Sequence, residues 1–463
     1  MTIRAQRPTQ RLVLAMALAS AVGLGIASAP YARRPDVHAK AAPTFAKDVA
    51  PIIYNNCASC HRPGGLAPVS LLSYADARDA AVKMRDKVEN GSMPPWHADA
   101  PRGTFLNDRR LSDADRETII QWVDAGSPPG DPREMPAPPA FASSWTIGTP
   151  DAVISMPTPY HVPASGVIEY QYVEVPTNFT EDKWVQSIEI LPGAREVVHH
   201  VLVFARAPSV AQAPAPAAPA APAAPAPTAG AARPAPLFIR REDQGIPDTP
   251  PGPDGKPRQL GALIGTTAPG TNVLTFPQRT ALRVRAGTVL TFQLHYTAHG
   301  KAMDDRTSVG MIFAKAQPDE EIRATSFQNG QFVIPPGAAD YRVPSELGFG
   351  QNVHVWALFP HTHLRGTKWE YRLVQPDGRS EVILSVPHYD FNWQTYYMFA
   401  KPLAIPAGAR IEASAWYDNS VANESNPDPS REVRWGDQTW EEMQYTGFLY
   451  TVDSRRMGGR PPK

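Results

Sequence analysis

The apolar positions change their spacing along the chain, and the change divides it. Residues 12–29 are a continuous apolar, uncharged run behind Arg4, Arg7 and Arg11. A basic start, an apolar stretch and the small residues Ala27 and Ala29 predict a signal peptide over residues 1–29. Pro30 leaves the point of cleavage open, and the run approaches the length of an uncleaved membrane anchor. Both readings carry the rest of the chain out of the cytoplasm, to the periplasm or another exported location. Farther on, Val82 to Arg85 lie in a helix-like stretch, where a methionine such as Met84 is more often core. Residues 112–125 predict a helix, with Ser112 as its cap and Ile119, Ile120, Trp122 and Val123 as its apolar face. Residues 131–150, rich in Pro and Ala, predict a linker.

Beyond residue 150 the pattern becomes short runs of strand composition separated by turn residues. Residues 167–175, 184–191, 197–205, 288–297, 353–359, 368–374 and 410–417 are the clearest. Many short strands at this spacing predict sandwiches or jelly rolls. About three hundred such residues predict two of them, over 151–315 and 316–455. Residues 207–236 are almost wholly Ala and Pro, cannot bury a core, and predict a disordered insertion.

Composition narrows the class. With 463 residues one core is too few. Lysine plus arginine equals aspartate plus glutamate, 45 against 45, so no electrostatic argument points to nucleic acid or an anionic membrane. No membrane insertion is expected beyond the signal segment. The 51 prolines suit turns and linkers rather than long helices.

The two cysteines, Cys57 and Cys60, fall in Cys57-Ala58-Ser59-Cys60-His61. That spacing lets two thiols attach to the two vinyl groups of one haem while the adjacent histidine supplies an axial imidazole. A dithiol redox pair and a partial zinc site are the rival readings, and few further zinc ligands lie nearby. Met93, in Gly91-Ser92-Met93-Pro94-Pro95-Trp96, is the candidate sixth ligand, with Met84 and His97 as rivals. Residues 43–130 resemble a class I cytochrome c, which implies a small all-α domain with one covalent haem c.

Five of the 12 histidines fall in tight patterns. His199-His200 and His295 lie in predicted strands, and His361-Thr362-His363 follows Pro360. Residues i and i+2 of a strand share a face, so His361 and His363 can hold one ion. Adjacent His199 and His200 can share an ion only at a bulge or strand end; otherwise one supports the other. Each alone is more often an ordinary core histidine. Five beside apolar neighbours call for a partner, and copper, zinc, iron or nickel would serve. Met443, in Glu441-Glu442-Met443, is a candidate thioether that would bias a site towards Cu(I), although by composition such a residue is more often core.

His-His, Gln-x-His-Tyr, His-Thr-His-Leu-x-Gly and Glu-Glu-Met, in this order, resemble the copper type II, ascorbate-dependent monooxygenases, the family of dopamine β-monooxygenase and peptidylglycine α-hydroxylating monooxygenase. The likeness covers roughly residues 150–455 and includes Pro387-His388-Tyr389. It implies two β-sandwiches facing each other across a solvent-filled cleft, and two coppers. His199, His200 and His295 would hold an electron-transfer copper; His361, His363 and Met443 would hold the copper that meets O2. Gln293 matches the glutamine of the Gln-x-His-Tyr element, with no role implied. The reaction would be hydroxylation of an aliphatic C–H bond of an unidentified small substrate. Ascorbate or a redox protein would be the external donor, and the haem domain would deliver electrons to the coppers. Two departures stand out. No disulfide is available, and the arginine and tyrosine that grip a peptide carboxylate in the peptide-hydroxylating branch are here Phe359 and Gly447. An electron-transfer or copper-binding protein without substrate oxidation is the alternative. His38 and His161 read as exposed loop residues, and His299, His354 and His388 as spare.

Overall fold

The computed structural model describes residues 42–63, 65, 67–141, 145–206, 235–240, 260–267 and 273–453. The signal segment, His38 and positions 207–234 of the Ala/Pro insertion lie outside them. Among the described residues no helix is long and apolar enough to cross a membrane.

Helices come first. A π-helical turn at Phe45–Val49 runs into the α-helix Ala50–Asn56, and the helices Tyr74–Asp79, Ala81–Glu89 and Asp113–Asp124 follow. Ser73 and Ser112 cap the second and fourth by accepting the N–H groups of Asp76 and Asp115. Phe45, Ile53, Leu71, Met84, Val88, Ile119 and Trp122 form a small core of their own. Met84 is spent there. Trp122 is fully buried and its Nε1–H donates to the Pro128 carbonyl at 2.9 Å.

Residues 94–110 do not join that core, which the chain re-enters at Leu111. They leave the helices as an arm whose Trp96, Ala98 and Phe105 are buried in a β core instead. Phe105 bridges Phe399, the Leu106 N–H donates to the Met398 carbonyl at 2.8 Å, and the Ala400 N–H donates to the Thr104 carbonyl at 2.9 Å. Asn107 closes the seam, donating to the Tyr396 carbonyl at 2.6 Å and accepting the Met398 N–H at 3.1 Å. The aromatic rings of Trp96 and Tyr397 meet edge-on at 5.2 Å.

The rest is β. One sheet runs Ala152–Ser155, Ser308–Phe313, Lys183–Leu191, Thr280–Val284, Glu320–Gln328, Tyr445–Val452, Val353–His361, Tyr397–Ile405, with Val273–Thr275 paired to Lys183–Leu191. Over its first half lies a four-stranded antiparallel sheet, Gln171–Pro176, Val289–Tyr296, Val198–Arg206, Ala262–Thr267. Over its second half lies Ser380–Val386, Gly366–Val374, Arg410–Tyr417, Tyr341–Phe349, Phe238–Arg240. The result is two sandwiches built on one continuous sheet. The join is the short parallel pairing of Glu320–Ile322 with Thr280–Leu282. Strand Tyr341–Phe349 shows why the layers form: Val343, Ser345, Leu347 and Phe349 turn inward while the residues between them face out. Phe238–Arg240, which follows the insertion, pairs with Leu347–Phe349 and so contributes an edge strand to the second sandwich before the chain returns to the first.

Phe105 is the arm's deepest anchor, so Phe105→Ala should cost about 3–5 kcal/mol of arm docking. Limited proteolysis of the variant should cut between residues 94 and 111 while the β sandwiches stay resistant; cleavage unchanged from wild type would contradict the docking.

Candidate metal centre

The first histidine group grows out of a strand irregularity. In the pairing of Val198–Arg206 with Val289–Tyr296, His200 lies opposite His295 and Val198 opposite Tyr296, so His199 is the extra residue of a bulge. The bulge turns two adjacent side chains to one side. One ring nitrogen from each of His199, His200 and His295 lies within 4.8 Å of the others. Asp305 fixes the approach to the bulge. One carboxylate oxygen accepts the N–H groups of Gly193 and Ala194 at 2.8 and 2.9 Å. The other accepts the Tyr296 and Thr307 hydroxyls at 2.9 and 2.8 Å. Tyr170 packs against His295 and His200 at 4.8 and 5.5 Å between ring centroids.

Burial holds all three imidazoles neutral. It pushes His199 down, His200 well down with His295 adding to the effect, and His295 to about 3 with His199 adding to the effect. The Nδ1 atoms of His199 and His200 face each other at 3.1 Å, and Nδ1 of His295 is buried with no hydrogen-bond partner. Three converging lone-pair donors and one orphaned buried nitrogen are what a bound transition metal satisfies.

The second group sits at the end of strand Val353–His361. The His361 and His363 rings are 5.2 Å apart, on one side of the chain as their spacing requires. Each has its Nδ1 occupied: His361 donates to Gln394 Oε1 at 2.6 Å and His363 to the Glu441 carbonyl at 3.2 Å. That leaves Nε2 of each as the ligand atom. Burial pushes His361 down to about 4 and His363 well below its ordinary value. Glu442, wholly buried, gathers the loop by accepting the N–H groups of His363 and Arg365 at 2.7 Å each and of Met443 at 3.3 Å. Burial pushes its carboxyl up to about 8 against the pull of those donors and of the Arg365 guanidinium. Met443 is held further by its carbonyl, which accepts the Tyr417 hydroxyl at 2.7 Å. His200, His361, His363, Met443, Gln293 and Tyr170 line one cavity of about 440 Å³. Gln293 donates to the Tyr172 hydroxyl at 2.7 Å, and Tyr172 donates to Asp437 at 2.7 Å.

In the helical segment Cys57 and Cys60 are unpaired, with the His61 N–H donating to the Cys57 carbonyl at 2.9 Å. Burial pushes the Cys57 thiol up to about 12, which suits a neutral thiol rather than a redox thiolate. His61 Nδ1 donates to the Val69 carbonyl at 3.1 Å, leaving Nε2 for a ligand. Two free thiols and one imidazole nitrogen in a single turn are the donor types that covalent haem takes. Met93 is half-buried at the root of the arm, its N–H on the Lys87 carbonyl at 3.0 Å. Nε2 of His97 is buried without a partner. His354 and His161 hydrogen-bond Asp453 and Asp304 at 2.6 and 2.7 Å and belong to neither histidine group.

Residues 334–443 match the family model for the copper type II ascorbate-dependent monooxygenase C-terminal domain. The match spans His361 and His363, ends on Met443, and supports a monooxygenase-like module of the oxidoreductase class that uses copper. No curated protein matches the chain. Among solved structures, the major capsid protein P2 of bacteriophage PM2 is 8% identical over 65% of this chain and 97% of that one, with a TM-score of 0.25. A structure of allantoicase is 7% identical over 56% and 79%, with a TM-score of 0.15. Neither likeness reaches the level at which two chains share a fold.

Gln394, Glu442, Asp305 and Tyr170 escaped sequence reasoning. Glu442 alone carried a signal, standing directly before Met443 in the Glu-Glu-Met element.

The depressed histidines set a pH dependence. The unfolded chain takes up protons below pH about 6.5, whereas His361 and His295 in the folded state resist until about 4 and about 3. The stabilising contribution is complete above pH about 6.5 and is lost as pH falls towards 4. Thermal unfolding of the metal-free protein across that window should show a falling midpoint, and His361→Asn should flatten the fall; equal slopes would contradict it.

Proposed function

We propose that this chain is an exported monooxygenase carrying two coppers and one covalent haem c, which hydroxylates an aliphatic C–H bond of a small substrate with O2. The observation that carries the reading is a cavity lined by His200 of the first histidine group and by His361, His363 and Met443 of the second, which lies inside the stretch that matches the monooxygenase family. His199, His200 and His295 would hold the electron-transfer copper; His361, His363 and Met443 would hold the copper that meets O2. Copper in these places supplies one-electron redox chemistry and O2 activation, the thioether favouring the cuprous state. The net reaction takes R–H, O2, two electrons and two protons to R–OH and water.

The protein's own residues prepare that chemistry. Gln394 and the Glu441 carbonyl hold His361 and His363 in the tautomer that offers Nε2, and Glu442 ties both histidine and thioether loops together. Phe359 lies directly opposite Gly447 in the ladder, so this place in the cavity offers an aromatic face and no grip for a carboxylate. Leu202, Phe204, Phe359 and Tyr445 make much of the lining apolar, which suits a small, largely apolar substrate.

Cys57 and Cys60 would carry the haem, with His61 and Met93 as axial ligands, and the haem would supply one-electron transfer. The docked arm supports electron supply within one chain, because it begins just after Met93 and is locked to strand Tyr397–Ile405. Ascorbate or a reduced redox protein would be the external source.

The test is elemental analysis of protein exported from a host that matures c-type cytochromes. Two coppers to one iron are expected. His295→Ala should lower copper to about one, and Cys57→Ala with Cys60→Ala should abolish iron, keep copper and stop turnover with a reduced redox protein. Copper near zero with iron at one would sink the monooxygenase. Full copper without O2-dependent hydroxylation of any screened substrate would leave an electron-transfer protein.

A further inference from the structure

The resemblance implied a solvent-filled cleft between the two metal sites. The structure has an aromatic side chain there. The Phe391 ring stacks on His199 at 5.2 Å between centroids with an interplanar angle of 17° and meets His200 edge-on at 6.1 Å. On its other side it lies 5.9 Å from His363 and 6.5 Å from His361. One ring therefore touches four of the five site imidazoles, two from each sandwich. Phe391 is buried, at 6% exposure, yet belongs to neither apolar core of the sandwiches. Histidine rings pack against it from both groups.

The loop that presents the ring is hydrogen-bonded to the second group and meets the first through the ring itself. The Tyr389 hydroxyl accepts the Thr362 N–H at 3.2 Å and donates to the Thr362 carbonyl at 2.9 Å, between the two histidines of the second group. Gln394 holds His361 through its Oε1 and the Phe391 carbonyl through its Nε2, at 2.6 and 3.1 Å. The turn is closed by the Trp393 N–H on the Asp390 carbonyl at 2.9 Å. A loop so fixed cannot swing its aromatic ring aside without breaking contacts to both metal sites.

We propose that Phe391 is a positioning residue that bridges the two histidine groups beside their shared cavity and sets the separation of the metals they hold. This rests on the copper reading above. The ring stands between the groups, and the metal positions are held at the spacing that one aromatic side chain allows. Removing it would leave a void between two polar groups, which water enters, and would free the two sandwich faces to move apart.

The test uses the full chain loaded with copper(II) salt, with copper per chain measured on each sample. Two nearby copper(II) ions give a half-field transition in electron paramagnetic resonance, whose intensity falls steeply with separation. The wild type should show it. Phe391→Ala should weaken it several-fold at unchanged copper content, and Phe391→Leu should weaken it less, because a shorter, non-planar side chain cannot touch both groups. A wild-type protein holding two coppers with no half-field signal would overturn the inference, as would a folded Phe391→Ala or a Phe391→Leu protein with wild-type intensity. Should the alanine variant lose its cooperative thermal transition, the wild-type and leucine spectra decide. A wild-type chain that binds no copper overturns the metal reading itself, a result told apart by the copper measurement.

Discussion

Both histidine groups depend on one constraint, the sheet that passes unbroken from one sandwich into the other. Glu320–Ile322 pair in parallel with Thr280–Leu282, and the same strand goes on to pair antiparallel with Tyr445–Val452. Strand Val353–His361 is next in the ladder. The apolar core follows the sheet: Ala357, Phe359 and Leu449 of the second sandwich are buried in one cluster with Val201, Phe292 and Leu294 of the first. A ladder and a shared core resist shear, so histidines from distant parts of the chain face one cavity at a set spacing.

That framework holds an arrangement that is costly in the absence of a ligand. Imidazoles are brought together where burial opposes their protonation, and Nδ1 of His295 has no protein partner. Unsatisfied buried polar atoms are rare because each forfeits its hydration. Three supporting groups are well satisfied by contrast. Asp305 has four donors, Glu442 three, and the buried Arg365 guanidinium reaches Asn419 and the Trp440 carbonyl. At the first group the unpaired Nδ1 of His295 is where a metal would relieve that cost.

The helical segment joins the same economy of contacts. Its own core is small, and its arm places Trp96 and Phe105 in the core of the second sandwich. Docking by an arm between Met93 and the helix Asp113–Asp124 holds the cysteine pair and the histidine cavity within one compact unit.

What the sequence determined by itself is local. Residue spacing alone established that Cys57, Cys60 and His61 share one turn, that the helix over Asp113–Asp124 has Ser112 as its cap, and that His361 and His363 share a face. It also showed that His199 and His200 need a bulge or a strand end to act together, because strand alternation is a two-residue property. The bulge itself, and its placement opposite Tyr296, came only with the pairing of strands. The same holds for Phe238–Arg240 crossing to the second sandwich, for the docking of the arm, and for Gln394, Glu442 and Phe391 arriving beside the histidines. Such contacts join residues tens to hundreds of positions apart. They are selected by the closure of two cores, a sum over many weak apolar contacts, and no local pattern in the chain encodes that sum.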